Sequence, residues 1–95
     1  MKKFSEYAGK GRCYFCHSTQ DLQEHHIFYG TANRKISDKY GLTVYLCIYH
    51  HTVSQKCVHN NREIDMQLKK DGQQYFEKYI GTRSQFIKEF GKNYL

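Results

Sequence analysis

Two segments with the same spacing, Cys13-Tyr14-Phe15-Cys16 and Cys47-Ile48-Tyr49-His50, predict how this chain of 95 residues folds. Each segment places two metal-binding side chains three positions apart, and a tight turn can bring such a pair to one tetrahedral zinc ion. The second segment overlaps the end of a stretch, Leu42 to Cys47, whose alternating pattern predicts a strand. We therefore expect one structural zinc ion with four ligands: Cys13, Cys16, Cys47 and His50.

Other interpretations of these cysteines stay open. Cys57 is a rival fourth ligand, or else a small buried hydrophobic side chain. The segment from Cys13 to His17 also matches the attachment motif of c-type haem, which is typical of exported proteins. The start of the chain, Met1-Lys2-Lys3-Phe4, is not followed by the apolar stretch of a secretory signal. We therefore expect a cytoplasmic protein whose thiols bind metal, because disulfides are rare in a reducing compartment.

The net charge of the chain, +6, is distributed unevenly. Residues 1–62 carry an excess of five positive charges, and residues 63–95 carry an excess of one. The first part also contains every cysteine and every histidine. A polyanion is the natural partner of such a surface, although a basic protein without an anionic partner has the same composition. No apolar run approaches the roughly 20 residues that cross a bilayer, so we expect no membrane partner.

The rest of the sequence predicts an α+β fold. We expect a first strand from Leu22 to Phe28 and a second from Leu42 to Cys47, with a loop or short helical segment from Tyr29 to Tyr40 between them. A helix is expected to follow from about Tyr49.

The length of the chain and the absence of a linker predict one domain, residues 1–95. We divide it into a basic lead-in (1–12), a core with the zinc knuckle (13–60) and a helical extension (61–95). Such a short chain builds a modest hydrophobic core, and a bound metal often adds the missing stability.

Two helices are predicted in the extension. The first has an apolar face with helical spacing: Ile64, Leu68, Tyr75 and Tyr79, widened by Phe76 and Ile80. Gly72 interrupts this helix and weakens the prediction, and Gly81 indicates its end. Thr82-Arg83-Ser84-Gln85 is typical of a capping box that opens a second helix, which Gly91 ends. We expect its apolar side chains to point inward: Phe86, Ile87 and Phe90.

Three blocks of the chain together resemble the HNH (His-Me finger) endonuclease family. They are Cys13-x-x-Cys16, Glu24-His25-His26-Ile27 and Leu46-Cys47-x-x-His50-His51, which occur in the family's order within residues 13–51. Small phage-encoded members have a similar pattern. The resemblance implies a ββα-metal fold, in which a hairpin and a helix hold one catalytic divalent ion, such as Mg²⁺, Mn²⁺ or Ni²⁺, above a structural zinc.

The resemblance also implies roles for individual histidines. His26, directly before Ile27, would be the general base of the reaction. His25 would replace the family's usual aspartate as a ligand of the catalytic ion, His51 would be the second ligand, and His59 a third. The chain departs from the family at the middle asparagine, since the start of the second strand has none. Thr43 could substitute for it by hydrogen bonding.

The activity implied by the resemblance is hydrolysis of DNA phosphodiester bonds, with 5′-phosphate and 3′-hydroxyl products. A neutral imidazole can take a proton from water, and one divalent ion can compensate the charge at the phosphate. DNA is the expected partner, with RNA as a further candidate. Basic residues between the strands are expected to contact its phosphates, or else to form a solvated loop: Arg34, Lys35 and Lys39. The alternative function is a non-catalytic, zinc-stabilised module that binds nucleic acid.

Overall fold

The described part of the chain forms, in order, a strand, a helix, a strand, a π-helical turn and two helices. A computed structural model describes Phe4, residues 11–53 and residues 61–95. The strands are β1, Leu22–His26, and β2, Thr43–Cys47, and the helix α1, Thr31–Tyr40, lies between them in sequence. A π-helical turn, Tyr49–Val53, follows β2. The C-terminal helices are α2, Arg62–Tyr79, and α3, Arg83–Phe90.

The two strands pair antiparallel in one sheet, from Leu22 opposite Cys47 to His26 opposite Thr43. Both predicted strands are therefore confirmed, although β1 ends at His26 instead of Phe28. The predicted loop or short helical segment between the strands contains a helix of ten residues. This helix ends at Gly41, which takes the left-handed conformation (φ 68°) that terminates helices. The chain is thus a small α+β protein with a two-stranded antiparallel sheet.

Helix α2 is the predicted helix, and it runs through Gly72 without a break. The helix starts where the side-chain oxygen of Asn61 accepts hydrogen bonds from the amides of Glu63 and Ile64. Gly72 is buried, and a Cβ atom there would lie 3.1–3.2 Å from side-chain carbons of Ile27 and Phe28. The glycine therefore allows α2 to approach the segment that follows β1.

Helix α3 begins with the predicted capping box, in which Thr82 and Gln85 each hydrogen-bond the other's backbone amide. It ends at Gly91 in the left-handed conformation, as predicted. Phe86 and Phe90 are buried, but Ile87 is 39% exposed, so its predicted inward orientation is wrong. The side chain of Ile87 lies about 100° around the helix from Phe86, outside the narrow buried face.

The apolar face of α2 is narrower than predicted. Leu68, Tyr75 and Phe76 are buried, whereas Tyr79 is 45% exposed and Ile64 and Ile80 are half-buried. Within the described ranges, no helix is long and apolar enough to cross a membrane.

The core is rich in aromatic rings that hold the end of β1. The ring of Phe28 lies 5.2 Å from that of Phe86 and 4.5 Å from that of Phe90, both in α3. Phe76 of α2 contacts Phe86 at 5.3 Å. Because Phe28 stands two residues after β1, both C-terminal helices fix the position of the strand that carries His25 and His26.

Candidate metal centre and histidine cleft

Four side chains meet beside the end of β2: Cys13, Cys16, Cys47 and His50. Their ligand atoms all lie within 4.8 Å of one another. Cys16 Sγ and Cys47 Sγ are 3.6 Å apart, and His50 Nδ1 lies 3.6 Å from Cys13 Sγ and 3.3 Å from Cys47 Sγ. A tetrahedral zinc ion spaces two sulfurs by about 3.8 Å and a sulfur and a nitrogen by about 3.6 Å. The cluster can therefore bind a metal ion such as zinc, and its members are the predicted ligands.

The sequence builds this cluster from two local turns. The amide of Cys13 donates to the carbonyl of Ser18 (2.8 Å) and the amide of His17 donates to that of Cys13 (2.9 Å), which closes the first turn. The amide of Tyr14 donates to the carbonyl of Tyr45 (2.9 Å) and so joins this turn to β2. Cys47 is the last residue of β2, and the π-helical turn brings His50 back toward it.

The surroundings of Cys13 favour the thiolate form that binds metal. Burial raises the pKa of its thiol, but backbone amides of Cys16, Cys47 and Phe15 hydrogen-bond the sulfur and together lower the pKa below its ordinary value. The exposed His17 is outside the cluster. Cys57, the rival ligand, lies outside the described residues.

A second group of histidines lines an open cleft of about 240 Å³ at the end of β1. The lining residues are Glu24, His25, His26, Tyr29, Arg34 and His51. The ring of the buried His25 lies 5.2 Å from that of His51 and 5.7 Å from that of Tyr29. The structure therefore brings together three predicted catalytic histidines from segments that are far apart in sequence, and adds a carboxylate and a guanidinium beside them.

Two of these histidines have hydrogen-bond partners that sequence reasoning missed. His26 Nε2 lies 2.7 Å from Asp38 Oδ1, and 15% of the His26 side chain is exposed. His51 Nδ1 donates to Gln23 Oε1. A side-chain carbonyl oxygen accepts and cannot donate, so this contact favours the neutral form of His51 with its proton on Nδ1 and Nε2 as the acceptor nitrogen. Ligating histidines in metal sites are commonly oriented by this kind of contact.

The predicted phosphate-binding residues lie on α1, not in a loop. Arg34 lines the cleft, whereas Lys35 and Lys39 are exposed on other parts of the helix surface and are not among its lining residues. His59, the predicted third ligand, lies outside the described residues. Glu24 received no role in the prediction from sequence. Its position directly before His25 and His26 in the chain could have indicated that its carboxylate lies beside them.

Thr43, the predicted substitute for the missing asparagine, is buried opposite His26 in the sheet. Its hydroxyl donates to Glu24 Oε2 (3.3 Å), so it orients a carboxylate of the cleft.

Tyr29, one of the residues that line the cleft, connects it to α2. Its hydroxyl donates to Asp65 Oδ2 (3.1 Å), which also accepts from Lys69 Nζ (2.8 Å), and that ammonium group lies 4.2 Å from the centre of the Tyr29 ring. Burial and the negative charge of Asp65 raise the pKa of Tyr29, so its hydroxyl remains a hydrogen-bond donor at neutral pH.

Comparison of the chain with protein-family models, curated proteins and solved structures finds no match. The resemblance to the HNH family therefore stays a prediction from the sequence motifs.

Proposed function

We propose that the protein is a metal-dependent endonuclease of the HNH type that hydrolyses DNA phosphodiester bonds and is stabilised by a structural zinc ion. The observation that carries this proposal is the cleft itself, in which His25, His26 and His51 meet with Glu24 and Arg34. None of its lining residues belongs to the Cys/His cluster, whose composition suits structural zinc. A module that only needed zinc for stability has no use for a second group of histidines.

His26 is the general base in this proposal. Its imidazole is partly exposed at the edge of the cleft, where water has access. A neutral imidazole takes a proton from water near neutral pH, and such proton transfer typically contributes on the order of 10²–10⁴-fold to a rate. Arg34 would bind a phosphate of the backbone, and Lys35 and Lys39 would attract neighbouring phosphates from the exposed surface of α1.

The catalytic ion would be held by His25 and His51. Imidazole with carboxylate is a donor set that suits Mn²⁺ or Ni²⁺, and Glu24 is the carboxylate at hand. Among the described residues, the Cys/His cluster is the one group of three or more ligand atoms within 4.8 Å of one another, so the two histidines need a further donor. Glu24 or the predicted ligand His59 would supply it. The bound ion would act as a Lewis acid that compensates charge at the phosphate.

The test is a comparison of three single substitutions, His26→Ala, His51→Ala and His50→Ala, in the full chain. For each variant we would measure plasmid nicking with Mn²⁺, zinc content and melting temperature. A nicking reaction with chelator is the negative control. We expect His26→Ala to lose about 10²–10⁴-fold of the cleavage rate with zinc and melting temperature unchanged. His51→Ala should recover part of its activity at higher Mn²⁺, because it weakens binding of the catalytic ion.

His50→Ala is the matched control one residue away. It should release the zinc and destabilise the fold, because a structural zinc ion contributes folding free energy. Nicking by His26→Ala at the parent's rate would refute the nuclease mechanism. Binding of DNA without cleavage under every metal condition would instead favour the alternative, a zinc-stabilised nucleic-acid-binding module.

A further inference from the structure

Asp38 is the residue with which His26 makes its 2.7 Å contact, and it belongs to another element, α1. The two residues are twelve positions apart in sequence. The prediction from sequence assigned no role to Asp38. Asp38 contacts Nε2 of the proposed base. This contact therefore influences which nitrogen of His26 can accept a proton.

The position of Asp38 is fixed by its neighbour Ser37, which is fully buried. The Ser37 hydroxyl donates to the carbonyl of Phe28 (2.7 Å) and accepts from the amide of Phe28 (3.3 Å). The carbonyl of Ser37 also accepts from the amide of Leu42 (2.8 Å), directly before β2. These three bonds attach the last turn of α1 to the residues that follow β1 and precede β2. The backbone at Asp38 is therefore fixed relative to the end of β1, while the Asp38 side chain, 62% exposed, contacts His26.

The contact selects one tautomer of His26. An ionised carboxylate accepts hydrogen bonds and cannot donate them, so His26 must donate from Nε2. In a neutral imidazole only one nitrogen carries a proton, and the lone pair is then on Nδ1. We propose that Asp38 is the positioning residue of the base: it holds the proton of His26 on Nε2 and makes Nδ1 the atom that accepts a proton from water.

The catalytic consequence of this role rests on the proposed function. A water molecule gives one proton to Nδ1 of His26 while its oxygen forms a bond to phosphorus. The bond between phosphorus and the 3′ oxygen breaks, and the 3′ oxygen takes a proton from solvent. His26 then returns its proton to solvent. With the opposite tautomer, Nδ1 would carry a proton and could not accept the one from water.

The tautomer can be measured without any nuclease activity. Long-range ¹H–¹⁵N correlation spectra of ¹⁵N-labelled full-length, zinc-bound protein at mildly alkaline pH distinguish a protonated Nδ1 from a protonated Nε2. We expect the Nε2–H form of His26 in the parent protein and a mixture of both forms in Asp38→Ala. Asp38→Asn should keep part of the preference, since its amide oxygen can still accept from Nε2. A dominant Nδ1–H form in the parent, or identical spectra for the parent and Asp38→Ala, would overturn the proposal.

Cleavage kinetics separate positioning from a structural role. We expect Asp38→Ala to lower kcat about 10- to 100-fold, the usual effect of removing a residue that orients a functional histidine, with KM for DNA and zinc content unchanged. Asp38→Asn should recover part of that loss. The matched control is Thr31→Ala on the same helix, an exposed residue without a proposed role, which should leave both kcat and KM near the parent values. A parental kcat in Asp38→Ala would refute the positioning role. If no form of the protein cut DNA while the tautomer still shifted, the proposed function would fail and the assignment of Asp38 would stand.

Discussion

Replacing Gly72 by alanine changes the free energy of unfolding in two opposite ways, through helix propensity and through core packing. Alanine is the better helix former, by about 1 kcal/mol at an interior position of a helix such as α2. The new Cβ, however, would lie 3.1 Å from Cγ2 and 3.2 Å from Cδ1 of Ile27, and 3.2 Å from Cε2 of Phe28. Overpacking of a well-filled core costs about 1–3 kcal/mol. We therefore expect Gly72→Ala to lower the free energy of unfolding by about 0–2 kcal/mol.

Urea unfolding of the zinc-bound protein, followed by circular dichroism, measures this change. The control is the same substitution in an Ile27→Val background, which removes the Cδ1 contact and keeps the other two. Gly72→Ala should then cost less than in the parent chain, by an amount that a double-mutant cycle gives directly. Stabilisation of the parent chain by about 1 kcal/mol, the full propensity gain, would refute the close approach of α2 to Ile27.

Three further predictions concern the zinc ligands, the core and a helix cap. Elemental analysis should find one zinc ion per chain. Cys13→Ser should lose the zinc and unfold or aggregate, whereas Cys57→Ser should have only a small effect on stability. Equal loss of stability in the two variants would mean that the ligand set is wrong. Tyr75→Ala should cost about 3–5 kcal/mol in urea unfolding because that ring is buried. Tyr79→Ala on the same helix, where the ring is 45% exposed and lies 4.9 Å from that of Tyr75, should cost only about 0.5–1.5 kcal/mol. Thr82→Ala should cost about 0.5–2 kcal/mol through loss of the capping box, and an unchanged melting temperature would contradict that role.

The features that the sequence predicted well depend on residues close together in the chain. Each pair of zinc ligands is formed by one local turn, Cys13 with Cys16 and Cys47 with His50. The spacing within each pair was therefore enough to predict the four ligands. The capping box at Thr82 is likewise complete within four residues. The alternation in β2 predicted a strand because the side chains of successive residues point to opposite faces.

The features that sequence reasoning missed depend on contacts between distant segments. Helix α1 has no side-chain cap, its fully buried side chain is the polar Ser37, and only Ile36 and Tyr40 contribute large apolar side chains to its inner face. It is held by the hydrogen bonds of that serine to Phe28, which no local pattern reveals. The same holds for Gly72, which weakens a helix by propensity and yet stands where α2 needs a residue without a side chain.

The hydrogen bond from the Tyr14 amide to the Tyr45 carbonyl has a consequence for how the protein behaves without its metal. A sheet of two strands has an edge on each side, and β1 occupies only one side of β2. The turn that contains Cys13 and Cys16 covers the other side at Tyr45. If this turn depends on zinc, chelation would uncover backbone groups of a strand rich in apolar residues. Such an edge can pair with the same edge of another molecule. We therefore expect the metal-free protein to form oligomers through strand pairing between molecules. Zinc would then prevent aggregation as well as stabilise the fold.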